Sequence, residues 1–271
     1  MAMVINTNMG AINASRILDG TQKDQGTAME RLTSGLRINK AADDAAGLAV
    51  VTGMTTQIRG TDQAIRNAND GTSLLQTMDG ATEEVVNMLQ RMRELGVQSL
   101  NGTYSADNRE QMDAEYQQLS TEITRIANTT QFNETDLMNA NDSVGLHVGW
   151  QIGDDNKIAV STIDFTGLTA LTEDITTVGN ASAAISQIDI NLGSIKTVRA
   201  NWGAMQNRLD YTVSNLANVN ENMAAARSQI EDADYARESA SLARIQVLQQ
   251  AGMAMLGQAN QQSQNVLSLL R

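Results

Sequence analysis

The sequence has 271 residues, of which 41% are hydrophobic and 3% aromatic, and it contains neither proline nor cysteine. Without cysteine there are no disulfides, thiolate metal sites or cysteine nucleophiles. The single histidine, His147, is too few for a histidine zinc site and would need a very particular setting to serve in a Ser-His-Asp arrangement. Acidic residues number 31 against 19 basic ones, and a net-acidic chain without a basic stripe argues against nucleic acid and against an anionic membrane as partners. The sequence also shows no nucleophile–base pair, phosphate-binding loop or metal-ligand cluster, so we predict no catalytic, metal-binding or cofactor-binding residues and a protein that is not an enzyme.

The first fifteen residues carry no charged side chain. Ile5, Met9 and Ile12 recur at helical spacing between polar residues, which predicts a weakly amphipathic helix. A secretory signal would need a basic start and a continuous apolar core, and this segment has neither. A frayed surface tail is the alternative.

A break between helices is predicted at Ser34-Gly35, and Asp43 or Asp44 is a start signal for the next helix. From Val51 onward, apolar residues alternate at steps of three and four, a narrow seam typical of helices that lie along one another. That seam comprises Val51, Met54, Ile58, Ile65, Ala68, Leu75, Met78, Val85, Leu89 and Met92. Four glycines, at positions 53, 60, 71 and 80, weaken the signal for one unbroken helical rod.

Asn101-Gly102-Thr103 predicts a turn, and it also matches the N-glycosylation acceptor pattern. A second helix is predicted from about Ala106 to Ile126. Between Ser143 and Phe165 the apolar period changes to two around the polar turn Gly153–Asn156, which predicts a β-hairpin.

The predicted hairpin should face solvent, which makes three hydroxyl residues candidates for O-glycosylation: Ser143, Ser161 and Thr162. Asp154 and Asp155 also suggest a calcium site, but no spaced series of carboxylates follows, and a turn accounts for them better.

Another helix starts within residues 183–195, and apolar residues then recur every seven positions, as in a coiled coil. The coiled-coil seam consists of Leu209, Leu216, Val219, Met223 and Ile230. The acidic cluster Glu231–Asp234 is predicted to be a solvated joint before the last helix.

The last thirty residues, Leu242–Arg271, carry only Arg244 and Arg271 as charges. Glutamine and asparagine replace the usual Lys and Glu, which suits a helix covered by other protein, and they interrupt any membrane-spanning apolar run. The predicted assembly residues at both ends of the chain are Ile5, Met9, Ile12, Ile245, Leu248, Leu256, Val266, Leu267, Leu269 and Leu270.

The predicted fold is mainly α: an elongated antiparallel bundle or coiled coil of long helices, with a small β-hairpin region and paired N- and C-terminal helices. Residues 1–44 and 236–271 are predicted to form a discontinuous inner core of terminal helices. Residues 45–235 are predicted to form a long-helix layer with the hairpin at about 143–165.

Several stretches, taken in order, resemble bacterial flagellin, the subunit of the flagellar filament. They are INTN at 5–8, ERLTSGLRIN at 30–39, DDAAGLA at 43–49, QAIRNANDG at 63–71, QRMRELGVQS at 90–99, and the long segments 206–236 and 249–270. Two small departures are Gly96, where the family more often has alanine, and Asn133-Glu134, where it often has Asn-Gly.

The resemblance implies a structural subunit that self-assembles into the helical flagellar filament for motility, in a short form lacking the variable outer domains. It implies a secreted, extracellular protein of the bacterial flagellum, exported unfolded without a cleaved signal. Expected partners are copies of itself, the flagellar export chaperone and export apparatus, and the filament cap and hook-junction proteins, with no cofactor. The alternatives are a hook–filament junction protein and, outside motility, an exported soluble effector or enzyme.

The resemblance also implies contact with the host innate-immune receptor that senses flagellin. The matching positions are Gln90, Arg91 and Leu95, with Glu115 on the following helix. Arg91 would offer a fork of donors and Leu95 an apolar anchor on one exposed helix face. The same patch is expected to pack protofilament against protofilament.

Overall fold

The computed structural model describes residues 7–269, without the side chains of residues 169, 170 and 262–269. Most of this part is helical: α1 Met9–Ser34, α2 Ala45–Ser99, α3 Ala106–Thr129, α4 Val178–Glu231 and α5 Tyr235–Leu269. Between α3 and α4 lie four short strands: β1 Gln131–Phe132, β2 Thr135–Asp136, β3 Ser143–His147 and β4 Lys157–Ser161. The prediction of long helices with a small hairpin region is confirmed.

The helix ends follow the local signals in the sequence. The side chain of Asn8 accepts a hydrogen bond from the backbone N–H of Ala11 at the start of α1. Gly35 ends that helix with φ of +74°, a left-handed conformation that glycine adopts without steric cost. The Asp44 carboxylate accepts from the Gly47 N–H at 2.8 Å and caps α2. The predicted break and start signal are both confirmed.

Helix α2 runs through its glycines without interruption for 55 residues, although they weaken the helical signal of the sequence. Three glycines allow other elements to approach closely. A Cβ atom on Gly71 would overlap Leu146 of β3, one on Gly60 would lie 2.6 Å from the Cβ of Trp150, and one on Gly96 would lie 2.9 Å from Ile185. Close packing at these positions compensates for the poor helix propensity of glycine.

The chain divides into two compact units. Residues 1–56 and 222–271 form one, here called the terminal unit, and residues 57–221 form the other, the central unit. The boundaries therefore fall inside α2 and α4, whereas the sequence placed them near residues 44 and 236.

The central unit contains a continuous hydrophobic core. Residues of α2, α3, α4 and the hairpin meet in it, and Leu75, Tyr116 and Phe165 are fully buried. Strands β3 and β4 pair antiparallel from Ser143↔Ser161 to His147↔Lys157, which confirms the predicted hairpin. The indole Nε1 of Trp202 donates to the carbonyl oxygen of Ser161 at 2.8 Å and fixes β4 to α4.

Ion pairs join the helices of the central unit at its surface. The Arg199 Nε lies 2.6 Å from the Asp79 carboxylate, which joins α4 to α2. Arg93 Nε lies 2.8 Å from Asp189 and links the same two helices. No helix in the described part of the chain is both long and apolar enough to span a membrane.

Candidate assembly surface

Helices α1 and α5 lie antiparallel and form what is here called the terminal pair. The side chain of Asn8 donates to the carbonyl oxygen of Ala259 at 2.9 Å, and Arg31 lies 3.5 Å from Glu238 at the other end of the pair. Between these two points, the Cδ1 of Leu18 lies 3.5 Å from the position that a Cβ on Gly252 would occupy.

Each helix of the terminal pair has a regular series of half-buried or buried positions with alternating steps of three and four. In α1 they are Ala11, Ala14, Leu18, Thr21, Gln25, Ala28 and Leu32, and in α5 Glu238, Leu242, Ile245, Gln249, Gly252, Leu256 and Ala259. This spacing is the coiled-coil pattern, and its small residues allow the two helices to lie close together. Alanine and leucine are the commonest residues of this seam, and four of its fourteen positions are polar (Thr21, Gln25, Glu238 and Gln249), which limits the apolar surface that it buries.

The terminal unit leaves large apolar side chains outside this seam. Its buried hydrophobic residues, among those the structure describes, are Ala28, Ile38, Val51 and Ile245. By contrast, nine large apolar side chains of the terminal pair are 50–68% exposed: Met9, Ile12, Ile17, Met29, Tyr235, Val247, Leu248, Met253 and Met255. These nine residues are here called the outer apolar set. So much exposed apolar surface marks an interaction site.

The predicted assembly residues fall into three groups. Ile245 and Leu256 occupy the seam of the terminal pair, whereas Met9, Ile12 and Leu248 belong to the outer apolar set. Ile5 and Leu270, and the side chains of Val266, Leu267 and Leu269, lie outside the described residues.

Several exposed apolar residues were not predicted as assembly residues. They lie off the seam spacing of their helices and comprise Ile17, Met29, Tyr235, Val247, Met253 and Met255. The signal that could have found them is the alanine-rich series of α1, because it identifies the inner face and so leaves the remaining apolar residues outside.

The connections before α2 and before α5 are held together inside the terminal unit. The Arg37 N–H donates to the carbonyl oxygen of Glu231 at 2.6 Å, and its guanidinium Nε donates to that of Ile230 at 3.1 Å. Backbone N–H groups of Lys40 and Asn39 donate to Asp43 and lower the pKa of its carboxyl. The hydrogen bonds of Arg37 use carbonyl oxygens left without helix partners at the end of α4.

The predicted acidic joint has a structural role as a cap. Asp234 accepts from the backbone N–H of Ala236 at 3.0 Å and from that of Arg237 at 3.2 Å, at the start of α5. A carboxylate at this position satisfies N–H groups that lack partners within the helix.

The coiled-coil seam predicted in α4 is distributed over both units. Leu209 is buried, and Leu216, Met223 and Ile230 are half-buried, but Val219 is 40% exposed. The position toward α2 is taken by the next residue, Asn220, which donates to the Asp62 carboxylate. Val219 therefore points away from the inner face in the single chain.

On α2, the patch expected to meet a host receptor is largely exposed. Arg91 Nε donates to Glu115 at 2.9 Å, and Arg91 Nη1 donates to Glu94 at 3.0 Å. These two hydrogen bonds raise the pKa of the Arg91 guanidinium, and the one to Glu115 has the larger effect. Gln90 is exposed beside them.

Leu95 does not lie on that exposed face, which corrects the expectation of an apolar anchor there. It is 2% exposed, because it continues the inward series of Leu89 and Met92 into the core of the central unit. The apolar residue that is exposed on this part of α2 is Val97, at 50%.

The three candidate glycosylation residues differ in accessibility. Ser143 and Ser161 are exposed at one end of the hairpin. Thr162 is buried, and its hydroxyl donates to the carbonyl oxygen of Ala140 and accepts from the Asp142 N–H, each at 2.8 Å. Thr162 therefore does not present the exposed hydroxyl that the sequence led us to expect, because this hydroxyl fixes the segment before β3.

The central unit has a complete hydrophobic core, whereas the terminal pair exposes large apolar side chains. A helical protein with these two features belongs to the class of self-assembling structural proteins. Comparison with known proteins gives the family. The model of the bacterial flagellin N-terminal helical region matches residues 5–143, and that of the C-terminal helical region matches residues 175–270.

Individual relatives agree over the whole length. The chain is 50% identical to a flagellin of Halalkalibacterium halodurans, with 99% of this chain and 100% of that protein aligned. It is 38% identical to flagellin FlaB1 of Treponema pallidum, with the same coverage. The crystal structure of Bacillus cereus flagellin superposes with a TM-score of 0.50 at 34% identity, covering 60% of this chain and 94% of that one.

The chain belongs to the bacterial flagellin family. It is a structural subunit of the flagellar filament and a component of the bacterial flagellum, and it polymerises with copies of itself. The two family regions leave only residues 144–174 between them, so this is a short form without outer domains. Similarity over the full length to flagellins favours this role over that of a hook–filament junction protein.

Proposed function

We propose that the subunit polymerises through the outer apolar set of the terminal pair, after export, as an extracellular filament. The observation that carries this proposal is the contrast between the units. The central unit buries or half-buries its leucines and isoleucines, apart from Ile152 and Ile190, whereas the terminal pair leaves nine large apolar side chains at least half exposed.

The energetics favour association of many copies. Complete burial of a side chain such as Leu or Met contributes about 1.5–3 kcal/mol, at roughly 25 cal/mol per Å² of apolar area. The terminal pair exposes such residues on both of its helices. Contacts between unlike surfaces that do not close into a ring generate a helical polymer.

Further partners are proposed from family membership. They are the export chaperone, the export apparatus, the filament cap and the hook-junction proteins. The role is structural and not enzymatic in this proposal. An exported soluble effector would not need a terminal pair with so much exposed apolar surface.

A second surface is proposed on α2 and α3, for contact with neighbouring subunits and with the host innate-immune receptor that senses flagellin. Gln90, Arg91 and Glu115 remain its candidate residues, with Val97 in place of the buried Leu95 as the apolar contact. The Arg91–Glu115 pair joins α2 to α3 and so fixes the geometry of this patch.

The assembly proposal is tested by a charge placed on the outer apolar set. Leu248→Glu should raise the critical concentration for polymerisation at least about tenfold, which corresponds to roughly 1.4 kcal/mol, because a carboxylate would become buried between subunits. Sedimentation and electron microscopy of the polymer measure this effect. Leu248 is 54% exposed in the single chain, so the subunit itself should still fold.

Ile152→Glu supplies the matched control, since Ile152 is a fully exposed apolar residue on the hairpin loop. It introduces the same charge outside the outer apolar set and should leave the critical concentration within about twofold of wild type. Equal effects of the two substitutions, or normal assembly of Leu248→Glu, would contradict the proposed surface.

A further inference from the structure

The exposed methionines of the described chain all lie on the terminal pair. Met9, Met29, Met253 and Met255 are 50–65% exposed, and each belongs to α1 or α5. The remaining described methionines are buried or half-buried: Met54, Met78, Met88, Met92, Met112, Met138, Met205 and Met223. Thioether sulfurs open to solvent are thus concentrated on the surface proposed for assembly.

We propose that Met253 and Met255 form an oxidant-sensitive modification site that controls polymerisation. The reagent is a peroxide or a hypohalous acid. With a peroxide, the sulfur lone pair attacks one peroxide oxygen, an S–O bond forms and the O–O bond breaks. The departing oxygen leaves with a proton as water, so the sulfur loses two electrons and the peroxide gains them.

The product would interfere with assembly and leave the subunit folded. Oxidation changes a flexible apolar side chain into a polar sulfoxide, which is costly to bury against apolar surface. Met253 and Met255 lie off the seam formed by Ile245, Gln249, Gly252 and Leu256, so the terminal pair can stay closed around them. The core of the central unit uses other methionines, which are shielded from solvent.

This inference rests on the proposed function, because it requires the outer apolar set to become buried between subunits. It follows that the same residues are protected once the filament has formed. Oxidation would therefore act on subunits before they assemble, and enzymatic reduction of the sulfoxide would restore them.

The test is to treat depolymerised subunits with hydrogen peroxide and to measure sulfoxide at each methionine by peptide mass spectrometry. Met253 and Met255 should oxidise well before Met78, Met92 and Met138. Seeded assembly should then require a concentration about tenfold higher, while circular dichroism and thermal unfolding stay unchanged. In filaments treated in the same way, Met253 and Met255 should oxidise at least about tenfold more slowly than in subunits.

The double variant Met253→Leu with Met255→Leu keeps side-chain volume and removes both reactive sulfurs. It should polymerise like wild type and keep most of that capacity after peroxide treatment. Oxidised wild-type subunits that assemble normally, equal oxidation rates in subunits and filaments, or equal inhibition of the double variant would each overturn this inference. Wild-type subunits that fail to assemble without oxidant would overturn the proposed function, and the inference with it.

Discussion

At the scale of single residues, the glycines of α2 have two different roles. Gly60 and Gly71 lie where Trp150 and Leu146 approach the helix, so no side chain fits there without displacement. Gly80 is exposed and has no neighbouring atom within 4 Å of the Cβ position. The first two are therefore required by packing, whereas Gly80 only weakens the helix.

This difference predicts opposite effects of the same substitution. Gly80→Ala should stabilise the subunit by about 1 kcal/mol, the difference in helix propensity, and raise Tm by roughly 2–4 °C. Gly60→Ala should destabilise it by about 1–3 kcal/mol, because the new methyl group would lie 2.6 Å from the Cβ and 3.3 Å from the Cα of Trp150. Thermal unfolding of depolymerised subunits measures both, and a shift in the same direction for the two variants would contradict this account.

The sequence predicted the inner residues of α2 better than its packing partners. The series from Ala68 through Leu75, Met78 and Val85 to Met92 is buried as its three-four spacing indicated, because that spacing is a local property of one helix. The role of Gly60 depends on a loop ninety positions away in the sequence, which no local pattern reports. Leu95 was misplaced because it was assigned to the exposed face of Gln90 and Arg91, whereas its own position, three residues after Met92, continues the buried series.

At the scale of secondary-structure elements, the larger hairpin was predicted from the sequence and the smaller one was missed. Strands β3 and β4 show the period-two alternation over five residues each, whereas β1 and β2 have only two residues each and no visible period. The small hairpin is defined by its turn, in which Asn133 has φ of +49° and Glu134 of +65°. A two-residue turn in which both central residues are left-handed has a backbone twist that matches the twist of the two strands it joins.

Glu134 is poorly suited to this turn, since a residue with a Cβ is strained at positive φ. Glu134→Gly should therefore stabilise the subunit by roughly 0.5–1 kcal/mol, the strain relief being partly offset by the greater freedom of glycine in the unfolded chain. Urea unfolding of depolymerised subunits measures the change. Glu134→Ala removes the same charge but keeps the Cβ, so it should give no comparable gain, and equal stabilisation by both variants would show that charge and not backbone strain is responsible.

The candidate assembly surface was predictable only in part, and the reason lies in the terminal pair. Amide-rich, charge-poor ends indicated burial against other protein, but the sequence did not show which face of each helix meets its partner in the same chain. Ile245 and Leu256 turn toward α1, whereas Leu248 turns outward, although all three have similar side chains. Only the antiparallel pairing of α1 with α5 separates the seam from the outer apolar set.

At the scale of the whole molecule, net charge is divided unequally between the two units. The terminal unit has 9 basic and 9 acidic residues, whereas the central unit has 10 basic and 22 acidic ones. The sequence already indicated this asymmetry, with 13 acidic residues between positions 101 and 180 against Arg109, Arg125 and Lys157. The unit proposed to make the apolar contacts is thus neutral, and the other contributes the whole formal charge of −12.

This division predicts that polymerisation depends on ionic strength. Each added subunit brings a strongly acidic central unit near others of like charge, and salt reduces this repulsion because the Debye length falls from about 30 Å at 0.01 M to about 10 Å at 0.1 M. The critical concentration should therefore fall several-fold as NaCl rises from about 10 to about 100 mM. Apolar contacts between neutral terminal units would not by themselves produce so large a change over this range.

A charge variant tests whether the central unit is the origin of this dependence. Asp155 and Glu110 are exposed, so their replacement by lysine should not disturb the core, and it would make the net charge of the central unit less negative by about 4. The double variant Asp155→Lys with Glu110→Lys should assemble at a lower critical concentration in about 10 mM NaCl and show a weaker salt dependence than wild type. The matched variant Asp155→Glu with Glu110→Asp keeps every charge and should behave like wild type. Repulsion between central units does not oppose assembly if the critical concentration is independent of salt. The same conclusion follows if the critical concentration of the lysine variant depends on NaCl as strongly as that of wild type.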